Sequence, residues 1–336
     1  HFHDRQLRSN PPALVRDTST VTDVNPYGMQ AHLYDKTQPE NIAFLERVRA
    51  QLNEFGAVSI GEISSDDALA QMSEYTEGGN KLHMAYSFNL LTPVFNAGHV
   101  RRQVEEFNER VKDGWASWSV GNHDAIRVAT RWGGVNPAPG FTKLVLAMQL
   151  SLKGTPCLYQ GDELGLTEAD VPYELLQDPY GKTFWPEFKG RDGCRTPMPW
   201  QADAPNAGFT EGKPWLPVEP SHAAAAVDVQ DKDPGSMLNF QRRFIALRRT
   251  LPQLTHGEIA FFDAPEPALA LRRDLEGEAS VLAAFNLSNA PVSFDWPATD
   301  GAAQMAVSGL QGGAERGRVT LPAYGAWFGT VPADRQ

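Results

Sequence analysis

Two short stretches of this 336-residue chain carry side chains suited to acid–base chemistry. In the first, the apolar run 57–60 leads into Gly61 and Glu62. In the second, the run 115–120 leads into Gly121, Asn122, His123 and Asp124. Acidic groups at the ends of different parallel strands can converge on one pocket. Two carboxyl groups in unlike environments suit work on a glycosidic bond, one passing a proton while the other bears charge. Taken singly, each stretch has a plainer account. Glu62 also fits a strand-end acid held by a loop amide or a lysine, and 122–124 also fits a turn built on Asx hydrogen bonds. His123 is a poor metal ligand, because no second histidine lies at ligand spacing.

The elements that would position these groups follow an α/β rhythm. Residues 38–55 place Leu45, Val48, Leu52 and Phe55 on one helical stripe before the first apolar run. The pattern predicts further strands at 81–91, 115–120 and 155–160, with helices over 100–111 and 141–152 between them. The last strand closes on Gly161, Asp162 and Glu163, read as residues that brace a loop. Such units fit half of a (β/α)8 barrel. A doubly wound sheet competes, but no glycine-rich phosphate loop follows any strand, which also disfavours a nicotinamide- or phosphate-using enzyme. Residues 1–37 and 163–234 read as long loops, and 237–249 as an amphipathic helix. From 253 onward the texture changes to short apolar runs between turn signals, at 259–262, 268–272, 280–285, 292–294 and 318–321. The expected division is 1–252 for the α/β part and 253–336 for a small antiparallel β-sandwich.

Composition narrows the partners. Thirty Lys and Arg against 41 Asp and Glu give a net charge of −11, which argues against nucleic acid or an anionic membrane face. No apolar run approaches the ~20 residues that span a bilayer. Two cysteines, Cys157 and Cys194, exclude a disulfide framework and leave one bridge or two free thiols. Few cysteines and no signal-peptide pattern lean towards the cytoplasm. The opening HFHDRQLRSNPP lacks an initiator Met and reads as the interior of a structural unit.

Several segments in series carry a resemblance. They are HLYDKTQPE (32–40), AVSIGE (57–62), VGNHD (120–124), GTPCLYQGDELG (154–165), RDGCRTPMPW (191–200) and PWLP (214–217). Together the chain resembles the C-terminal portion of an α-glucosidase of the α-amylase superfamily, glycoside hydrolase family 13. The similarity lies near the oligo-1,6-glucosidase and maltose-type branch. The resemblance implies barrel strands five to eight followed by a β domain. It implies a retaining exo-acting α-glucosidase or α-glucosyltransferase on short α-glucosides such as maltose. Sucrose isomerisation, α-1,6 cleavage and a non-catalytic partner subunit are the alternatives.

By the same resemblance Glu62 is the general acid/base, a role helped by apolar walls. Asp124 and His123 hold the sugar. Arg195 and Arg191 cap the pocket floor by pairing with a carboxylate, expected outside this chain. Phe88 forms a wall beyond the scissile bond. The Asp nucleophile is expected upstream of residue 1, in an N-terminal segment that would be this chain's partner. The resemblance implies no cofactor within the chain and a structural Ca or Mg ion in that N-terminal part.

Overall fold

The computed structural model describes residues 3–14, 23–65, 67–111 and 113–333. Its first half alternates helices and short strands: α1 (Glu40–Glu54), β1 (Ile60–Ile63), α2 (Ala68–Thr76), β2 (Met84–Ser87), α3 (Ala97–Arg110), β3 (Ser117–Ser119), α4 (Val128–Gly133), α5 (Phe141–Ser151) and β4 (Thr155–Cys157). β1 pairs in parallel with β2, and β3 with β4. A single parallel bridge between Ala85 and Ala116 links the two pairs, so the strands lie side by side in chain order.

The strands are shorter than their apolar runs. β2 stops at Ser87 because 88–90 wind into a 3-10 turn, which Ser87 caps by accepting the Asn89 N–H on its hydroxyl. β4 stops at Cys157, and 162–164 form another such turn. Glu62 therefore lies inside β1 rather than beyond it. Helix α2 was not expected from sequence. Asp67 caps it by accepting the Ala70 N–H, and Leu69, Met72 and Tyr75 bury its inner side.

The connection after β4 is not simply loop. It holds three helices of five or six residues, α6 (Pro179–Phe184), α7 (Pro220–Ala224) and α8 (Val227–Lys232). Elements this short show no periodicity in sequence. Side chains hold the segment in place; Gln230, for example, donates to the Leu164 and Ala225 carbonyls.

Helices α9 (Met237–Thr250) and α10 (Pro252–His256) lead into eight strands: β5 (Glu258–Phe262), β6 (Ala268–Asp274), β7 (Ser280–Asn286), β8 (Val292–Asp295), β9 (Ala303–Gln304), β10 (Gly313–Glu315), β11 (Arg318–Leu321) and β12 (Ala326–Val331). They form one sheet ordered β5-β6-β7-β12-β9 and another ordered β10-β11-β8. Every observed pairing in the two sheets is antiparallel. The larger sheet is buried on both faces. Ala270, Leu282, Ala284 and Trp327 meet the smaller sheet through Phe294, Trp296, Val319 and Leu321. Leu271, Ala283, Phe285 and Phe328 belong instead to the core of the α/β part, beside α5 and α9. All seven residues of β7 are buried, which explains why its sequence shows an unbroken apolar run.

One border of the α/β part is apolar and open. Phe55 is 76 % exposed, Val58 68 % and Ile60 49 %, running from the end of α1 into the start of β1. Among the described residues, β1 has no strand partner on that side. No helix of the described residues is long and apolar enough to cross a membrane.

Candidate active site

The site begins with strand register. The Ser59 N–H and hydroxyl both hydrogen-bond Nδ1 of His83, pinning the entries of β1 and β2 together. Three residues further on, Glu62 and Tyr86 are direct register partners. At the end of β3, the Ser119 hydroxyl donates to the Gly121 carbonyl. Gly121 packs on Asp162, so closely that a Cβ there would lie 2.6 Å from Asp162 Oδ2.

The next residue, Asn122, is buried and joins two strand ends. Its Oδ1 accepts from the N–H groups of Asp124 and Ala125, both at 2.9 Å. Its Nδ2 donates to Glu62 Oε1 at 3.2 Å. The Asx turn weighed as an alternative is therefore present, and it is part of the site. Ligand-type atoms of Glu62, His123 and Asp124 all lie within 4.8 Å of one another. His123 Nε2 is 3.5 Å from Asp124 Oδ2. Glu62 is exposed at the strand mouth, so the apolar walls expected around it are not supplied by the described residues.

Two arginines reach this group from the long connection after β4. Arg191 Nη1 and Arg195 Nη2 each donate to Asp124 Oδ1, and Arg195 Nε donates to the His123 carbonyl. The carboxylate partner of Arg195 was expected outside the chain. Within this chain Arg195 pairs with Asp124, a carboxylate that sequence distance hid.

Asp178, whose side chain is fully buried, fixes Arg191 through bonds from its backbone N–H, its Nε and its Nη2. Burial pushes the Asp178 carboxyl up, but these bonds outweigh it and hold the group below the usual aspartate range. Sequence reasoning missed both Asp178 and Tyr86; neither sits in a motif. Burial and the nearby charge of Glu62 raise the Tyr86 phenol, which stays protonated.

Phe88 stands apart. It lines a cleft of about 740 Å³ with Ile63, Ser64, Asn89, Ala31 and His32. Beneath the site, burial above all pushes Asp162 and Glu168 each up to about 7, against the pull of Arg127 and Arg131. Glu163 accepts the Gly161 N–H and so braces its own turn, as expected. Cys157 and Cys194 are both free thiols.

The profile of the α-amylase catalytic domain matches residues 8–257. The chain belongs to the α-amylase family. Its architecture, β/α units of barrel type followed by a C-terminal antiparallel β domain, is that of the family. A probable α-glucosidase of Rhizobium meliloti (strain 1021) is 44 % identical over 335 residues, covering 98 % of this chain and 60 % of that protein. The crystal structure of the α-glucosyl transfer enzyme XgtA superposes with a TM-score of 0.92 at 48 % identity, covering 98 % of this chain and 62 % of that one. The trehalulose synthase MutB from Pseudomonas mesoacidophila MX-45 gives a TM-score of 0.75 at 25 % identity, over 88 % and 59 % of the two chains. The chain thus spans about three fifths of the length of these relatives.

Proposed function

We propose that this chain supplies the acid/base and sugar-holding part of a retaining α-glucosidase or α-glucosyltransferase that acts on short α-glucosides such as maltose. The observation that carries this reading is the meeting of Glu62, held by Asn122, with an Asp124 clamped by two arginines. Glu62 protonates the glycosidic oxygen as its bond to the anomeric carbon breaks. An Asp nucleophile takes that carbon, giving a covalent glucosyl-enzyme. Glu62, now a carboxylate, removes a proton from water or a sugar hydroxyl, whose oxygen attacks the anomeric carbon and frees the nucleophile. Water gives hydrolysis; a sugar gives transfer.

Asp124 is a poor nucleophile, because two guanidiniums draw on its Oδ1. It serves instead to bind hydroxyls and to stabilise the cationic ring, with His123 on the same sugar. The two guanidiniums also supply the positive charge that a metal ion would bring to the trio. We assign the nucleophile to the part of the relatives' length that this chain does not span. In this reading β1–β4 are strands five to eight of the barrel, and residues 1–252 and 253–336 are its two domains. The open apolar border at Phe55, Val58 and Ile60 supports a neighbouring strand and helix there. Phe88 and its cleft lie on the acceptor side. Two free thiols suit a reducing compartment such as the cytoplasm.

The test is release of nitrophenol from nitrophenyl α-glucoside by the intact enzyme and by Glu62→Gln. A loss of about 10²- to 10⁴-fold is expected; equal rates overturn the assignment. The likeness to a trehalulose synthase favours a second reading, sucrose isomerisation, which the product mixture from sucrose distinguishes.

A further inference from the structure

We infer that Tyr86 is a positioning residue for Glu62, its phenol holding the carboxyl group in the orientation needed for proton transfer. The inference rests on the acid/base role proposed for Glu62 and deepens it. The two residues are partners in the β1–β2 register, so their side chains leave the sheet on one face, from strands about 4.8 Å apart. The Ser59–His83 bonds set that register three residues earlier, which leaves the pair little freedom to slip. Asn122 reaches the same carboxyl group from just beyond β3, donating to Glu62 Oε1 at 3.2 Å. Burial and the Glu62 charge facing it keep the Tyr86 phenol neutral, so it has a proton to offer the carboxyl group across the register pair.

A glutamate free to rotate about its side-chain torsions spreads over many orientations, and fixing one has an entropic cost. Asn122 meets part of that cost before substrate arrives, with Tyr86 as the inferred second donor. The rest of the Glu62 side chain remains exposed towards the mouth, where a leaving group would sit.

The experiment compares kcat/KM of the intact enzyme and of Tyr86→Phe on two substrates. An alkyl α-glucoside needs its leaving oxygen protonated; 2,4-dinitrophenyl α-glucoside does not. Tyr86→Phe should lower kcat/KM about tenfold or more on the alkyl glucoside and no more than about threefold on the dinitrophenyl one. A uniform fall on both substrates, or no fall on the alkyl glucoside, overturns the inference. The melting temperature of Tyr86→Phe separates misfolding from mispositioning. If it falls sharply, Asn122→Asp, which keeps the turn acceptor but loses the donor to Glu62, must show the same leaving-group dependence, and a uniform loss there overturns the inference. A wild type that cleaves neither glucoside overturns the glucosidase reading itself, and this inference with it.

Discussion

One oxygen of Asp124, Oδ1, accepts hydrogen bonds from both Arg191 and Arg195, each at 2.8 Å. Hydrogen bonds between charged groups are worth roughly 1.5–3 kcal/mol each. Arg195→Ala and Arg191→Ala should each lower kcat/KM on an α-glucoside by about 10- to 100-fold. Because both lean on one oxygen, their effects should not add, and a double-mutant cycle measures the coupling. The two variants should also differ in stability. Arg191→Ala strips the buried Asp178 of its guanidinium, so its melting temperature should fall further than that of Arg195→Ala. Equal melting temperatures would contradict the role given to Asp178.

Asn122 offers a way to separate scaffold from chemistry. Asn122→Ala removes the acceptor for two backbone N–H groups and the donor to Glu62. It should lose stability by about 1–3 kcal/mol as well as activity. Asn122→Asp keeps the turn acceptor, so its melting temperature should stay closer to wild type while kcat drops. Denaturant titration beside initial rates checks both.

Stability should depend on pH through Asp162 and Glu168. In the unfolded chain such groups titrate near their ordinary values; in the folded one, burial moves each to about 7. Between those values the folded state holds protons that the unfolded state has released. Their contribution to unfolding free energy therefore falls as pH rises from about 4 to about 7 and is level above. Asp162→Asn should flatten that slope. Both groups keep some solvent contact, which moderates the effect. Calorimetric melting across this range is the measurement, and an unchanged slope in the variant would contradict it.

Much of this arrangement was legible in the sequence, and the reasons for the rest are physical. An apolar run followed by glycine and an acid drew notice to Glu62, His123 and Asp124, but only the family resemblance gave them roles. The β/α order, and the change of texture before β5, followed from periodicity. Tyr86 was hidden because register between strands is not written in either strand alone. The Arg195–Asp124 pair joins residues 71 apart, and only the folding of the long connection brings them together. Strand β12 was missed although it is an interior strand of the larger sheet. Helix α1 looked amphipathic, yet Leu45, Val48 and Leu52 are only partly buried and Phe55 is exposed.

The packing of β12 against α9 should be sensitive to a single ring. Phe328 is buried between Phe244, at 5.6 Å between ring centroids, and Phe285, at 5.5 Å. Phe328→Ala should cost about 3–5 kcal/mol, from lost burial and the cavity left behind. A drop of less than about 1 kcal/mol in chemical unfolding would mean that the two parts touch without depending on each other.

The double-sided burial of the five-stranded sheet makes the sandwich a structural extension of the proposed active site. Strand β7 cannot expose its backbone amides unless contacts with α5 and α9 also give way, so hydrogen exchange there should report opening of the whole unit. A glucose analogue bound near Asp124 would then slow exchange in β7, a strand that never touches the ligand. The C-terminal sheet would act as a distant gauge of occupancy.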